Sequence, residues 1–136
     1  MRFAFRIPVF IVLLTLALGC GSAKQTGDPE TMRKQAELGE IYDSYTMFAK
    51  KNQRPPKQIS ELMQKEYQAV YSVGLSALKS GQYVAVWGVD VNGKDGEAVL
   101  AYEKNAVKEG GAVLMANGTI KQMSADELQS ALKSKS

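Results

Sequence analysis

The sequence contains no histidine and one cysteine, Cys20. Without histidine there is no Ser-His-Asp triad and no Cys-His dyad. With a lone cysteine there is no internal disulfide, and the two counts together exclude a zinc finger and a haem held by histidine or cysteine. An excess of charge is missing as well. The 17 Lys and Arg against 14 Asp and Glu give +3, and Arg2 and Arg6 stand near the start, so the remainder carries 15 basic against 14 acidic side chains. The lysines are scattered and not striped. That balance lacks the electrostatic footprint of a nucleic-acid binder. The basic end Lys133-Ser134-Lys135 reads as a solvated terminus.

What is present is enough for one folded unit. Apolar residues make up 45% and charged residues 23%, a globular and not a disordered composition. The chain opens with a basic start, Met1 to Arg6, followed by an apolar run from Ile7 to Gly19 and then Cys20-Gly21-Ser22. This is the layout of a secretory signal. A helix of that run is roughly 20 Å long, short of the roughly 30 Å hydrocarbon core, so it fits an export signal better than a permanent span. Removing the first 19 of 136 residues leaves 117, one domain with a single modest core.

The end of the run carries a resemblance. Leu16-Ala17-Leu18-Gly19-Cys20 resembles the lipobox of bacterial lipoproteins, with Ala17 where the commonest pattern has leucine. The resemblance implies a diacylglyceryl group on the Cys20 thiol, cleavage before Cys20 and acylation of the new amino terminus. A lone cysteine in an exported chain has no disulfide partner, which agrees with a modified thiol. Two or three acyl chains at about 0.8 kcal/mol per buried methylene form a lasting anchor. Gly21 stands where aspartate would suggest retention in the inner membrane, which favours the outer membrane. The partner expected is therefore the membrane, through the lipid on Cys20, together with an envelope protein. No cofactor, metal, nucleic acid or small-molecule substrate is indicated.

Gly21 to Gly27 has the small, polar composition of a flexible tether. Seven residues reach at most about 25 Å, which keeps the domain close to the bilayer. The expected organisation is a signal at 1–19, an acylated tether at 20–28 and a domain at 29–136. Asp28-Pro29-Glu30 opens a helix, and Leu38, Ile41, Tyr42, Tyr45, Phe48 and Ala49 form its apolar stripe. Arg33, Lys34, Glu37, Glu40, Lys50 and Lys51 fall mostly off the stripe. Gly39 weakens this helix and offers a place for close packing. Arg54-Pro55-Pro56 ends it. A second helix is expected over Lys57 to Lys65, with Ile59, Leu62 and Met63 on one side. One further turn is expected at Leu75 to Lys79, stopping at Gly81.

Then the period changes. Tyr83 to Val89 is apolar on both faces, as in a central strand. Asn92 to Gly96 is a turn and Ala98 to Tyr102 a return strand. Lys108 to Gly111 is a loop. Ala112 to Ala116 and Thr119 to Met123 flank the hairpin signal Asn117-Gly118, with Val113, Met115 and Ile120 sharing the buried face and Met123 on the other, at an edge. Ser124 to Glu127 is a capping box, and Leu128, Ala131 and Leu132 line the helix that follows. The fold class expected is α+β: a long N-terminal helix packed on a small, mainly antiparallel sheet of about four strands, with a C-terminal helix.

Motifs of catalysis are weak. Ser76-Ala77-Leu78-Lys79 and Ser130-Ala131-Leu132-Lys133 match S-x-x-K, but no S-D-N or K-T-G follows, and the tetrapeptide is simply helix-compatible. Asp90 to Gly96 resembles the opening of a calcium loop, yet Lys94 and Asp95 stand where oxygen and glycine are needed. Asn117-Gly118-Thr119 is formally a glycosylation acceptor but reads as a turn. Asp126 and Glu127 suit a helix start. No enzymatic chemistry is expected.

Two stretches are similar to bacterial pseudopilin-like proteins: Leu38 to Tyr45 followed by Pro55-Pro56, and Gly110-Gly111 leading through Ala112–Ala116 to Asn117-Gly118-Thr119-Ile120. The resemblance implies a long helix leaning on an antiparallel sheet. It lacks the family's upstream histidine, has Asn117 for an aspartate, and has the lipobox in place of the prepilin cleavage site and membrane helix. The functional expectation is a membrane-anchored envelope lipoprotein acting as a non-catalytic binding or scaffolding module. The alternative is a pseudopilin-like accessory of a secretion or pilus system.

Overall fold

The computed structural model describes residues 27–93 and 96–134. The leader, Cys20 and the tether as far as residue 26 lie outside the described residues, as do Lys94 and Asp95.

Helix α1 runs over Pro29–Asn52, with proline in its first turn and Gln53 as a left-handed C-cap. Leu38, Ile41, Tyr45 and Phe48 are buried, as their helical spacing requires. Removing four such side chains from water contributes about 1.5–3 kcal/mol each. Glu37, expected off the stripe, is also buried. The reason is chemical: its carboxylate accepts hydrogen bonds from the Tyr83 hydroxyl at 2.7 Å and the Gln82 side-chain amide at 2.6 Å.

The helix expected over Lys57 to Lys65 is shorter, α2 at Ile59–Leu62, and a separate helix, α3 at Lys65–Val70, follows it with Gln64 extended between them. Leu62 and Tyr67 are both buried. In one continuous helix they would point about 140° apart, at roughly 100° per residue, so the break lets both reach the core. Helix α4 covers Ser72–Lys79 and is longer than the single turn expected. Its end follows the expected stop. Gly81 is left-handed at φ 81°, its N–H donates to Leu78, and the Gln82 N–H donates to Ala77, the Schellman pattern.

Four strands form one antiparallel sheet in the order β1-β2-β3-β4: β1 Tyr83–Ala85, β2 Val99–Glu103, β3 Gly111–Met115 and β4 Ile120–Met123. The strand expected to be central, Tyr83 to Val89, is a three-residue edge. After Val86 the chain leaves the sheet. Gly88 adopts φ 79° and donates its N–H to the Pro56 carbonyl. Trp87, Val89 and Val91 pack against the α1 side of the core, which explains their apolar character without a second sheet face.

An irregularity between Val99 and Ala101 puts consecutive side chains Leu100 and Ala101 into the α1-side core, while Val99 faces the other way. This is what one extra residue in a strand does to its alternation. The loop expected at Lys108 to Gly111 holds a single turn of helix, α5 at Ala106–Glu109. The last helix, α6 at Ala125–Lys133, has the expected capping box between Ser124 and Glu127. Leu128 is its buried residue, and α5 and α6 cover the sheet face opposite α1. The fold is therefore α+β, with a helical layer on each side of the sheet. Among the described residues no helix is long and apolar enough to cross a membrane.

The last hairpin differs by one residue. Met115 donates its N–H to Thr119, Gly118 to Met115, and only Gly118 of the turn has positive φ. The loop is Ala116-Asn117-Gly118, a type I turn with a left-handed glycine, and not a two-residue Asn-Gly turn. Leu114 consequently pairs with Ile120. Ile120 joins the α1-side core, whereas Val113 and Met115 face α6 with Met123. A one-residue slip moves a strand's side chains to the opposite face, and in this register half-buried Ile120 packs on the α1-side core. The β4 strand is an edge, as expected.

The glycine of close approach is Gly74, not Gly39. A Cβ on Gly74 would lie 2.6 Å from the Glu37 carbonyl oxygen and from the Glu40 Cβ, while one on Gly39 meets nothing within 4 Å. Thermal denaturation should show Gly39→Ala stabilised by about 1 kcal/mol. Gly74→Ala should be destabilised by about 1–3 kcal/mol through forced separation of α1 and α4.

Candidate functional site

A cleft of about 520 Å³ lies where α1 ends. One wall is the last turn of α1 and its exit, with Lys50, Gln53, Arg54 and Pro55. The other is the segment that leaves the sheet after β1, with Asp90 and Asn92. Its size falls within the range of small-ligand sites.

Each wall is held by specific contacts. Arg54 forms an ion pair with Glu61 at 2.5 Å, and its guanidinium lies 5.1 Å above the Phe48 ring. Glu61 also accepts the Lys57 backbone N–H at 2.6 Å. The Arg54 guanidinium, and then that backbone N–H, hold the Glu61 carboxyl down at about 2. The bend through Pro55-Pro56 is thus clamped at both ends.

The opposite wall depends on Tyr45. Its ring stacks with Trp87 at 6.3 Å between centroids, and its hydroxyl accepts the Val89 N–H at 2.9 Å. Burial pushes the Tyr45 hydroxyl up to about 12, against a smaller opposing effect of the backbone N–H groups of Val89 and Gly88. Asp90 follows directly, and its carboxylate accepts the Asn92 N–H at 2.9 Å. This short local bond shapes the start of the turn. Among the described residues no group of three or more carboxylate or cysteine side chains could hold a metal ion.

The charges across the cleft are of both signs. Arg54 is neutralised by Glu61. Among the described residues neither Lys50 nor Asp90 has an ion-pair partner within 4.0 Å.

The residues singled out in the sequence fall elsewhere. Cys20, the lipidation residue, is outside the described residues. Ser76 and Lys79 lie on α4, whose Leu75 and Leu78 enter the α1-side core, while Ser130 and Lys133 lie on α6 across the sheet. The two S-x-x-K copies are not brought together. Asn117 accepts the Thr119 N–H at the hairpin tip, the turn role expected of it. Glu127 accepts the Ser124 N–H, which lowers its carboxyl's pKa. The cleft itself was missed. Lys50 and Asp90 are 40 positions apart, and they share a cleft because the chain turns out of the sheet at Gly88. The sole local sign was that glycine inside an apparent strand.

The chain matches no protein-family model, no curated protein and no solved structure.

Tyr45 gives the domain an alkaline limit. An unfolded tyrosine ionises near 10, whereas the folded one does so at about 12. The unfolded state therefore releases its proton first, and stability falls as pH rises from 10 towards 12. Denaturant melts across that interval should show a shallower decline for Tyr45→Phe than for the parent chain.

Proposed function

We propose that this chain is a bacterial envelope lipoprotein, acylated on Cys20, whose domain at 29–136 is a non-catalytic binding or scaffolding module. The observation that carries the reading is the single cysteine of the chain, standing at the end of a lipobox-like leader with no second cysteine to pair with. The outer membrane is favoured by Gly21 after the cysteine.

The fold is consistent with that role. Helix α1 begins at Pro29, so the eight residues Gly21 to Asp28 separate it from Cys20 and span at most about 29 Å. Over 24 residues, α1 extends about 36 Å at 1.5 Å per residue. The cleft lies at its far end. A module anchored at one end of a long helix and recessed at the other suits presentation of a binding site away from the lipid.

A second reading, an accessory of a secretion or pilus system, is supported by the packing of α1 along an antiparallel sheet, the arrangement implied by the likeness to pseudopilin-like proteins. Cross-linking in intact cells separates the two: recovery of secretion components favours the accessory role, and their consistent absence removes it.

The anchor has a direct test. Cys20→Ser should move the protein from membrane to soluble fractions, and mass spectrometry of the mature N-terminal peptide should show diacylglyceryl and acyl additions on Cys20. An uncleaved N-terminus, or an unmodified Cys20 in cells, would contradict the proposal.

A further inference from the structure

We propose that the cleft at the end of α1 binds a zwitterion: an amino acid or short peptide with both its amino and carboxylate ends free. This deepens the binding-module reading and rests on it.

The argument is one of elimination by charge. A ligand bearing only negative charge would find Lys50, but it would also face the Asp90 carboxylate and the carbonyl end of α1, whose dipole is negative there. A ligand bearing only positive charge would find Asp90 and those carbonyls, but it would face the Lys50 ammonium. An apolar ligand would strip water from charged groups and return nothing to them. A molecule carrying both charges meets an opposite sign on each wall. Lys50 belongs to α1 and Asp90 to the segment beyond β1, so the two charges are mounted on different elements. They do not come within 4.0 Å of each other. The ligand's ends take the place of the missing pair, with its carboxylate towards Lys50 and its ammonium towards Asp90.

The fixed parts of the site support the same chemistry. Arg54 is held by Glu61 and by the Phe48 ring, so its guanidinium keeps a set position. The side chains of Gln53 and Asn92 also border the cleft and supply neutral donors and acceptors for a peptide bond.

The molecule contains its own reporter. Trp87 is the single tryptophan. It stacks on Tyr45 and stands three residues before Asp90. The experiment titrates L-alanyl-L-alanine into the full acylated chain in detergent and follows Trp87 fluorescence. The expected result is a saturable change, weakened about tenfold or more by acetylating the peptide's amino end, by amidating its carboxyl end, and by Lys50→Ala or Asp90→Asn. Lys50 and Asp90 are both exposed, and circular dichroism melts check that the variants remain folded. The absence of any saturable change overturns the proposal, as does equal binding of the blocked peptides. Binding of acetate or methylammonium as tight as that of the dipeptide also overturns it, since one charge would then suffice. The same titration on Cys20→Ser keeps the two questions apart: loss of the lipid leaves the zwitterion affinity unchanged, whatever fractionation says about the anchor.

Discussion

A carboxylate placed inside a protein must find its partners or impose a cost of several kcal/mol. Glu37 is such a group. Its partners come from Gln82 and Tyr83, at the very start of β1. Burial, and then the hydrogen bond to Glu37, raise the Tyr83 pKa, which keeps that hydroxyl a donor. The two hydrogen bonds tie α1 to the start of β1. The neighbouring contact has the same character. Glu40, one turn further along α1, accepts the Gly74 N–H at 2.7 Å, and the missing side chain of Gly74 lets α4 come that close. Two carboxylates of one helix thereby fix the strand edge and the adjoining helix.

Further along α1 the polar work passes to Tyr45. Its ring supplies apolar burial and its hydroxyl receives the backbone of the departing segment. The arrangement explains how a sheet with such a short first strand keeps a defined recess beside it. A segment that stops pairing with a sheet exposes its peptide groups. Here they are received by Pro56 and Tyr45.

Much of the fold was legible because its signals are local. Proline at the start of α1, the 3–4 spacing of Leu38, Ile41, Tyr45 and Phe48, Gly81 as a helix stop, and Ser124 with Glu127 as a capping box each act within a few residues. What the sequence hid depends on distant partners. Glu37 reads as a surface residue until Tyr83 lies across from it. Tyr83 to Val89 reads as one long strand until Pro56 and Tyr45 compete for its backbone. Asn117-Gly118 names a hairpin correctly but not its loop, which has three residues and not two and which turns Ile120 towards the α1-side core. The candidate cleft belongs to the same group, since it exists only where α1 and the segment beyond β1 converge.

The β4 edge has a consequence for molecules that share a surface. At high local density a bare strand is the feature most ready to recruit a copy of itself. Here that strand is four residues long and carries exposed Lys121 and Gln122. Its approach is flanked by a hairpin tip at which Gly118 sits against the Tyr42 ring. A copy approaching this edge would bring its own Lys121 ammonium towards this one, a like-charge contact that opposes edge-to-edge pairing.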